Sequence, residues 1–547
     1  MLAILSVLTI FTLGVSGNEK FPLVKTPLGE IRGYHKTSFE GRTFSAFEGI
    51  PFAKPPVGER RFEEPEPVDL WSGVWNATSL FQCVQTNSIQ LFQTPGDEDC
   101  LYINVFVPRE KPNPDENLDV VVHIHGGAFM YGSGHFYSPP TLIMDREVIY
   151  VTFNYRLGIL GFLSTEDDVV PGNNGLKDQT LALKWIRDNI ASFGGNPNSV
   201  TITGLSAGGS SVHLHYFSKL SKGLFQRGFA QSGLALNPFS IQEQPLMRTK
   251  KLADAVGCPT STTRVMVDCL KQRPYQHLFD KLPLFFNYMF LPCAPFGPVV
   301  EKGGSNPFLD EDPYYLLKKG DVLDVPWLAS MAIHEGLFPV AYFMEDLDNV
   351  DVHWEEWAPA FLEFNYTLSS SLWESTARKI KEHYLGDEHI KKENVLKLIQ
   401  IFSDRYFLND AETAVRMQAK VNKSPVYYYL FGYPGDNNDQ KLVGHGADSK
   451  YFFGPTIIPT PLTPDEIKMK DLLLDMLVAF AKTGKPTLGG VDLKPTGYNE
   501  LTYLEVNGFE PDEIRLKSTD ELMTSRSFWK SLNFMEGENL ISAKDEL

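Results

Sequence analysis

The stretch Ser199–Ser211 reads SVTITGLSAGGSS. Its first half alternates as a strand does, with Val200 and Ile202 on one face and Thr201 and Thr203 on the other. Its second half is small and then helix-compatible. Between the two stand Gly204, Ser206 and Gly208 in the order G-x-S-x-G. A serine on so tight a strand-to-helix corner is held in strained backbone with its hydroxyl in the open, and glycine neighbours let other backbone approach. The helix that follows aims free N–H groups at the same point, which favours a developing anion. The motif alone is short enough to arise by chance as a turn of small residues. Its partners decide the reading.

A serine hydroxyl is a poor nucleophile until a base takes its proton. Histidine does this best near neutral pH, and a carboxylate orients it. On an α/β-hydrolase scaffold the chain order is serine, then Asp or Glu, then histidine. Downstream of Ser206, His213 and His215 fall on the helix after the corner, as packed or surface groups. His353, His383 and His389 lie in charged surroundings that read as exposed helix. His445 differs. It stands in VGHGAD between Gly444 and Gly446, on a loop that can approach another part of the fold. The segment DVPWLASMAIHEG runs apolar into Glu335-Gly336, so Glu335 sits at a strand end, with His334 beside it as a structural residue.

The segment LDVVVHIHGGAFMYGSG is an apolar strand that runs into Gly126-Gly127-Ala128. Small residues there leave backbone N–H groups free to meet an oxyanion, with one more from Ala207. His123 and His125 alternate onto one face of that strand; with no H-E-x-x-H and no third ligand, no metal site is expected. Phe129, Met130 and Tyr131 come next, either lining a lipophilic pocket or filling the core.

The chain has 547 residues, 43% hydrophobic and 22% charged, as an ordinary globular protein does. Its net charge of −18 opposes binding to nucleic acid or to an anionic membrane. The opening MLAILSVLTIFTLGVSG reads as a signal peptide over residues 1–17, although no basic residue precedes Lys20. No later stretch is apolar for long enough to span a bilayer. DLLLDMLVAFAKTG (Asp471–Gly484) is interrupted by Asp475 and reads as an amphipathic or buried helix. The last four residues, Lys544-Asp545-Glu546-Leu547, form the retention address read by a receptor in the endoplasmic reticulum lumen. The expected location is that lumen, or the medium if the address is not read, and a retrieval receptor is an expected partner.

An oxidising lumen permits disulfides. The five cysteines are Cys83, Cys100, Cys258, Cys269 and Cys293; the near pairs in sequence are the first two and the next two, and other connectivities stay open. Sequons stand at Asn76 (NAT), Asn365 (NYT) and Asn422 (NKS), the last with Pro425 close behind it.

The chain resembles the cholinesterase-like, type-B carboxylesterase family of α/β-hydrolases, and within it the insect carboxylesterases. The motifs that carry the resemblance are FEGIPFAKPPVGERRFEEPEPV, EDCLYINVFVP, HGGAFMYGSG, NYRLGILGFLS, GNNGLKDQTLALKWIRDNIASFGGNPNSVTITGLSAGGSS, FAQSG and FAKTGKP, in one order from about Pro22 to the 530s. The resemblance implies a mostly parallel central sheet flanked by helices, with one catalytic domain over residues 18–543. It also implies that insertions after the serine corner cover the site. Ser206 becomes the nucleophile, Glu335 the acid and His445 the base, with the oxyanion held by Gly127, Ala128 and Ala207. Disulfides Cys83–Cys100 and Cys258–Cys269 are implied, as are ion pairs Arg61–Glu98 and Arg156–Asp178 and a Ser232 hydroxyl near the acid. The substrate is a small-molecule ester and no cofactor is needed.

There are departures from the family pattern. Ala128 stands where many members have a third glycine, which narrows the acyl side but keeps the N–H. No Trp lies between Cys83 and Cys100, which argues against a cholinesterase. Leu205 stands where juvenile hormone esterases usually carry Gln. The rival readings are an esterase specific for a hormone or pheromone, a lipase, and a non-catalytic binding protein on the same fold. The last usually lacks a triad member, and all three are present here.

Overall fold

Strands buried on both faces read as continuous apolar runs, and parallel strands need helical crossovers. VVVHI, IYVTF and WLASMA are such runs, and in the computed structural model they form the middle of an eleven-stranded sheet. The structure describes residues 21–86, 94–136, 139–436, 441–453, 461–523, 525–537 and 539. The expected signal segment 1–17 and the tetrapeptide 544–547 lie outside the described residues.

In chain order the sheet contains β1 (Tyr34–Thr37), β2 (Thr43–Pro51), β3 (Tyr102–Val107), β4 (Leu118–Ile124), β5 (Ile149–Phe153) and β6 (Gly195–Leu205). It continues with β7 (Arg227–Gln231), β8 (Trp327–Ala332), β9 (Val426–Phe431), β10 (Leu501–Val506) and β11 (Ile514–Thr519). Across the sheet the order is β1-β2-β3-β5-β4-β6-β7-β8-β9-β10-β11. Pairings from β5 through β10 are parallel, and those at the two edges are antiparallel. The chain leaves β4 for β5 on one side and returns to β6 on the other. That reversal opens a crevice at the carboxyl end of β4, the place where such sheets hold ligands.

Helices cover both faces. On one, Val120, Val122, Val200 and Ile202 pack with Leu176, Leu183 and Ile186 of α1 (Asn174–Asn189). On the other, Val121, Phe229 and Leu328 pack with Met469, Leu473, Leu477 and Phe480 of the helix Pro464–Thr483. That helix starts with a reciprocal Thr463–Glu466 capping box and Pro464, and stops at Gly484, whose φ of 72° only glycine adopts freely. Asp475, which interrupts its apolar run, points outward to Arg146 at 2.7 Å. Long helical segments separate β7 from β8 and β8 from β9. No helix among the described residues is long and apolar enough to cross a membrane.

Cys83 is joined to Cys100 and Cys258 to Cys269, and Cys293 is a buried free thiol. Arg156 grips Asp178 on α1 through Nε and Nη2 at 2.8 and 2.7 Å, and Arg61 meets Glu98 at 2.6 Å. One expectation needs correcting. His123 and His125 do not share a strand face: β4 ends at Ile124, so alternation stops there. His123 packs on Phe453 and His125 stacks on Tyr155, in opposite core layers.

Candidate active site

β6 ends at Leu205 and α2 (Ala207–Phe217) begins one residue later. Ser206 alone makes the turn, with φ 59° and ψ −125°, a region that a non-glycine residue occupies at a cost of about 1–3 kcal/mol. Two hydrogen bonds impose it: Ser206 N–H donates to the Gln231 carbonyl, and its own carbonyl accepts from Ser210 N–H, both at 2.8 Å. The flanking glycines are steric necessities. A Cβ at Gly204 would stand 2.3 Å from the Gly208 carbonyl oxygen, and one at Gly208 would stand 2.1 Å from that of Ile124.

The segment after β4 lies against this corner. A Cβ on Gly126 would stand 3.1 Å from Ser206 Cβ. Gly127 and Ala128 have φ of 113° and 54°, and the Gly127 carbonyl accepts from Met130 and Tyr131 N–H at 2.9 and 3.0 Å. Among the described residues, the N–H groups of Gly127, Ala128 and Ala207 donate to nothing. Three free donors at a helix start and a strained loop form a nest for negative charge.

The acid and the histidine meet at the end of β8. Glu335 is fully buried, and its Oε2 lies 2.6 Å from His445 Nδ1. Its Oε1 accepts from Ser232 Oγ at 2.6 Å and from Ala332 N–H at 2.7 Å. These three contacts, on both oxygens, fix the carboxylate plane. The histidine loop is pinned at both sides. His334 N–H donates to the Val443 carbonyl at 2.9 Å, and Val443 N–H donates to His334 Nδ1 at 3.0 Å. Beyond the histidine, a Cβ on Gly446 would stand 3.1 Å from the Leu205 side chain, so the loop reaches the serine corner.

Aromatic rings close the site. Phe338 and Phe407 lie 5.1 and 4.9 Å from the His445 ring, and contacts continue from Phe338 to Tyr342, Phe290 and Tyr131. The sequence reading offered Phe129 and Met130 for such a wall or for the core. Both are fully buried, and Phe129 packs on Phe162, so they are core; Tyr131 is half-buried and does join the wall. Phe338 could have been found three residues after Glu335. Phe407 carries no local signal, since it lies in a five-residue π-helix, Asp404–Leu408. Ser403, just before it, accepts from Gly336 N–H at 2.8 Å and steadies the acid turn.

The other histidines are structural. Burial pushes His123, His213 and His215 down to about 3 and His125 to about 4, so they remain neutral. His353, His383 and His389 lie on the outside, the first half-buried. Among the described residues no group of three or more metal-binding side chains is assembled. A cavity of about 210 Å³, lined by Leu236, Ile241, Arg248, Tyr366, Arg405 and Phe534, does not include Ser206, Glu335 or His445. Of the sequons, Asn76 is exposed and Asn365 half-buried. Asn422 is folded in: its Nδ2, the atom a glycan would need, donates to the Leu323 carbonyl at 3.4 Å, and its Oδ1 is buried.

A model of the Carboxylesterase family matches residues 20–521. The chain is 39% identical over 539 residues to Venom carboxylesterase-6 of Apis mellifera, covering 95% of this chain and 96% of that one. It is 40% identical over 482 residues to Esterase FE4 of Myzus persicae, covering 85% of each. It superposes on the crystal structure of juvenile hormone esterase from Manduca sexta with OTFP covalently attached, at a TM-score of 0.82 and 26% identity, over 94% of this chain and 99% of that one.

Proposed function

The chain belongs to the carboxylesterase family and is a serine carboxylesterase; from that premise we propose that it cleaves lipophilic carboxylic esters through Ser206, His445 and Glu335. His445 takes the proton of Ser206 as Oγ attacks the ester carbonyl. Glu335, held by Ser232 and Ala332, keeps the imidazole in one tautomer and stabilises its charged form. The N–H groups of Gly127, Ala128 and Ala207 receive the oxyanion. The tetrahedral intermediate collapses to an acyl-enzyme and His445 returns the proton to the leaving alcohol. Water then attacks by the same route and releases the acid.

The observation that carries this reading is the 2.6 Å Glu335–His445 contact on a loop packed against the serine corner. The aromatic chain from His445 to Tyr131 supports an apolar substrate. A role specific to juvenile hormone has one point for it, the similarity to the Manduca sexta esterase, and one against it, Leu205 at the corner. Ser206→Ala should lower turnover of a p-nitrophenyl ester by several orders of magnitude with the fold intact, because triad members act as a unit. Organophosphate labelling should vanish with it; labelling that persists removes Ser206 from the role.

The same reading extends to location. Two disulfides suit an oxidising compartment, and Asn76 is open to a glycan. The chain enters the secretory pathway through its apolar start, and Lys544–Leu547 returns it to the endoplasmic reticulum.

A further inference from the structure

Asp448 lies three residues after His445 and is buried. Its Oδ2 accepts from Tyr429 Oη at 2.6 Å, Ser330 Oγ at 3.0 Å and Gln231 Nε2 at 3.2 Å. The donors come from three neighbouring strands, β9, β8 and β7. Two of those residues also hold the reacting groups. The Gln231 carbonyl accepts from Ser206 N–H, and the Ser330 carbonyl accepts from Ser232 N–H at 2.8 Å, while Ser232 donates to Glu335. One carboxyl thus ties the histidine loop to the strands behind both the serine and the glutamate.

Its charge state follows from what is missing. Oδ1 of Asp448 is buried and, among the described residues, accepts from nothing; Gln231 Oε1 is in the same condition. Among the described residues no Lys or Arg forms an ion pair with Asp448, and none is among the groups that bear most on it. The charged group that bears on it is Glu335, of like sign, and Tyr429 remains a neutral phenol because burial holds its proton. A buried carboxylate with one bare oxygen and no paired cation is strongly disfavoured, and a proton on that oxygen removes the cost.

We propose that Asp448 is a positioning residue for His445, latching the histidine loop to β7, β8 and β9 as a neutral carboxylic acid. Burial acts in the same direction, holding the Asp448 proton against the three hydrogen bonds that favour the anion. The consequence is electrostatic as well as mechanical. Glu335 stays the anion in contact with the imidazole. A second buried negative charge there would raise the proton affinity of His445 and move the acid limb of the rate profile to higher pH.

The test compares Asp448→Asn with Asp448→Ala in the full-length enzyme. Asparagine keeps the shape and a donor without charge. Asp448→Ala should lower kcat about tenfold with KM little changed, the cost of a displaced base, and Asp448→Asn should restore most of it with the acid limb within roughly 0.2 pH units of the native enzyme. A native-minus-Asp448→Asn infrared difference spectrum at neutral pH should contain the C=O stretch of a protonated carboxyl. If Asp448→Ala does not fold, Tyr429→Phe and Ser330→Ala each remove one tie and should lower kcat without raising KM. The proposal is overturned if alanine keeps full kcat, if the single-tie variants keep it too, if Asp448→Asn moves the acid limb down by roughly half a unit or more, or if the infrared band is absent. The kinetic arm rests on His445 being the base. The infrared band does not, so a flat native pH profile with the band present would fault the triad reading and leave the neutral acid standing.

Discussion

His334 and Val443 are joined twice, amide to carbonyl at 2.9 Å and amide to imidazole Nδ1 at 3.0 Å, and this two-bond clamp sets where the next residues of the loop can go. His334 precedes Glu335 and Val443 is two residues before His445. The clamp therefore fixes Glu335 and His445 relative to each other from behind. His334→Ala removes the ring acceptor and leaves Val443 N–H unmatched, a loss of about 1 kcal/mol, so kcat should fall about fivefold with KM nearly unchanged. Steady-state kinetics read this directly; an unaltered kcat would mean that the Glu335–His445 contact holds the loop without help.

The rate should fall on the acid side as the base histidine is protonated. The deeply buried histidines cannot supply that limb, because burial holds His123, His213 and His215 near 3 and His125 near 4. A kcat/KM that stays flat over roughly pH 5 to 8, the range in which histidines titrate, would remove His445 from the base role.

Glu363 opens onto the cavity beside Arg405, and burial raises its carboxyl from the ordinary 4.5 to about 7 against the pull of that guanidinium. A raised folded value means that the native state holds the proton more tightly than the unfolded chain. Stability should therefore fall as pH rises from about 4.5 to 7 and level off above. Asp410, raised to about 7 by burial, pulls in the same direction. Glu363→Gln cannot ionise, so its stability relative to the native enzyme should improve by about 1–2 kcal/mol between pH 5 and pH 8, a value that allows for the partly open edge of the side chain. Urea unfolding at the two pH values measures it; a difference that does not change with pH would contradict the raised value.

Four of the five cysteines are bridged, and burial pushes the Cys293 thiol up, with Glu363 adding to the effect. The native enzyme should present no reactive thiol, and one per chain after unfolding without reductant. Thiol titration with and without denaturant checks this. Rapid labelling of the folded protein would mean that Cys293 is open to solvent.

Deleting Lys544–Leu547 should move the protein from cell to medium without changing its esterase activity, because those residues are far in sequence from Ser206, Glu335 and His445. Immunoblots of cells and medium decide it. If the intact chain already accumulates in the medium, the retention reading fails.

Much of the candidate site was legible in sequence because its signals are local. A corner that must be tight needs Gly204 and Gly208 next to Ser206, and carbonyl oxygens at 2.3 and 2.1 Å from their absent Cβ atoms are why. A strand that must end in free donors needs Gly126 and Gly127 together. The apolar runs of β4 and β8 declare strands, while the mostly parallel sheet was expected from the family resemblance. Tertiary structure alone decided which side chains meet across the loops. Phe407 reaches His445 through a π-helix that no pattern announces, and Ser403, the last residue of the α-helix before it, reaches Gly336 across the fold. His125 left the face of His123 because β4 stops one residue earlier than alternation implies. Asp448 is one acidic residue among 68 in the sequence, and only the convergence of Gln231, Ser330 and Tyr429 on one of its oxygens sets it apart. Backbone geometry writes itself into neighbouring residues, because sterics act over a few bonds. Side-chain contacts between distant strands depend on register and crossing, and those are fixed only when the whole sheet has closed around its core.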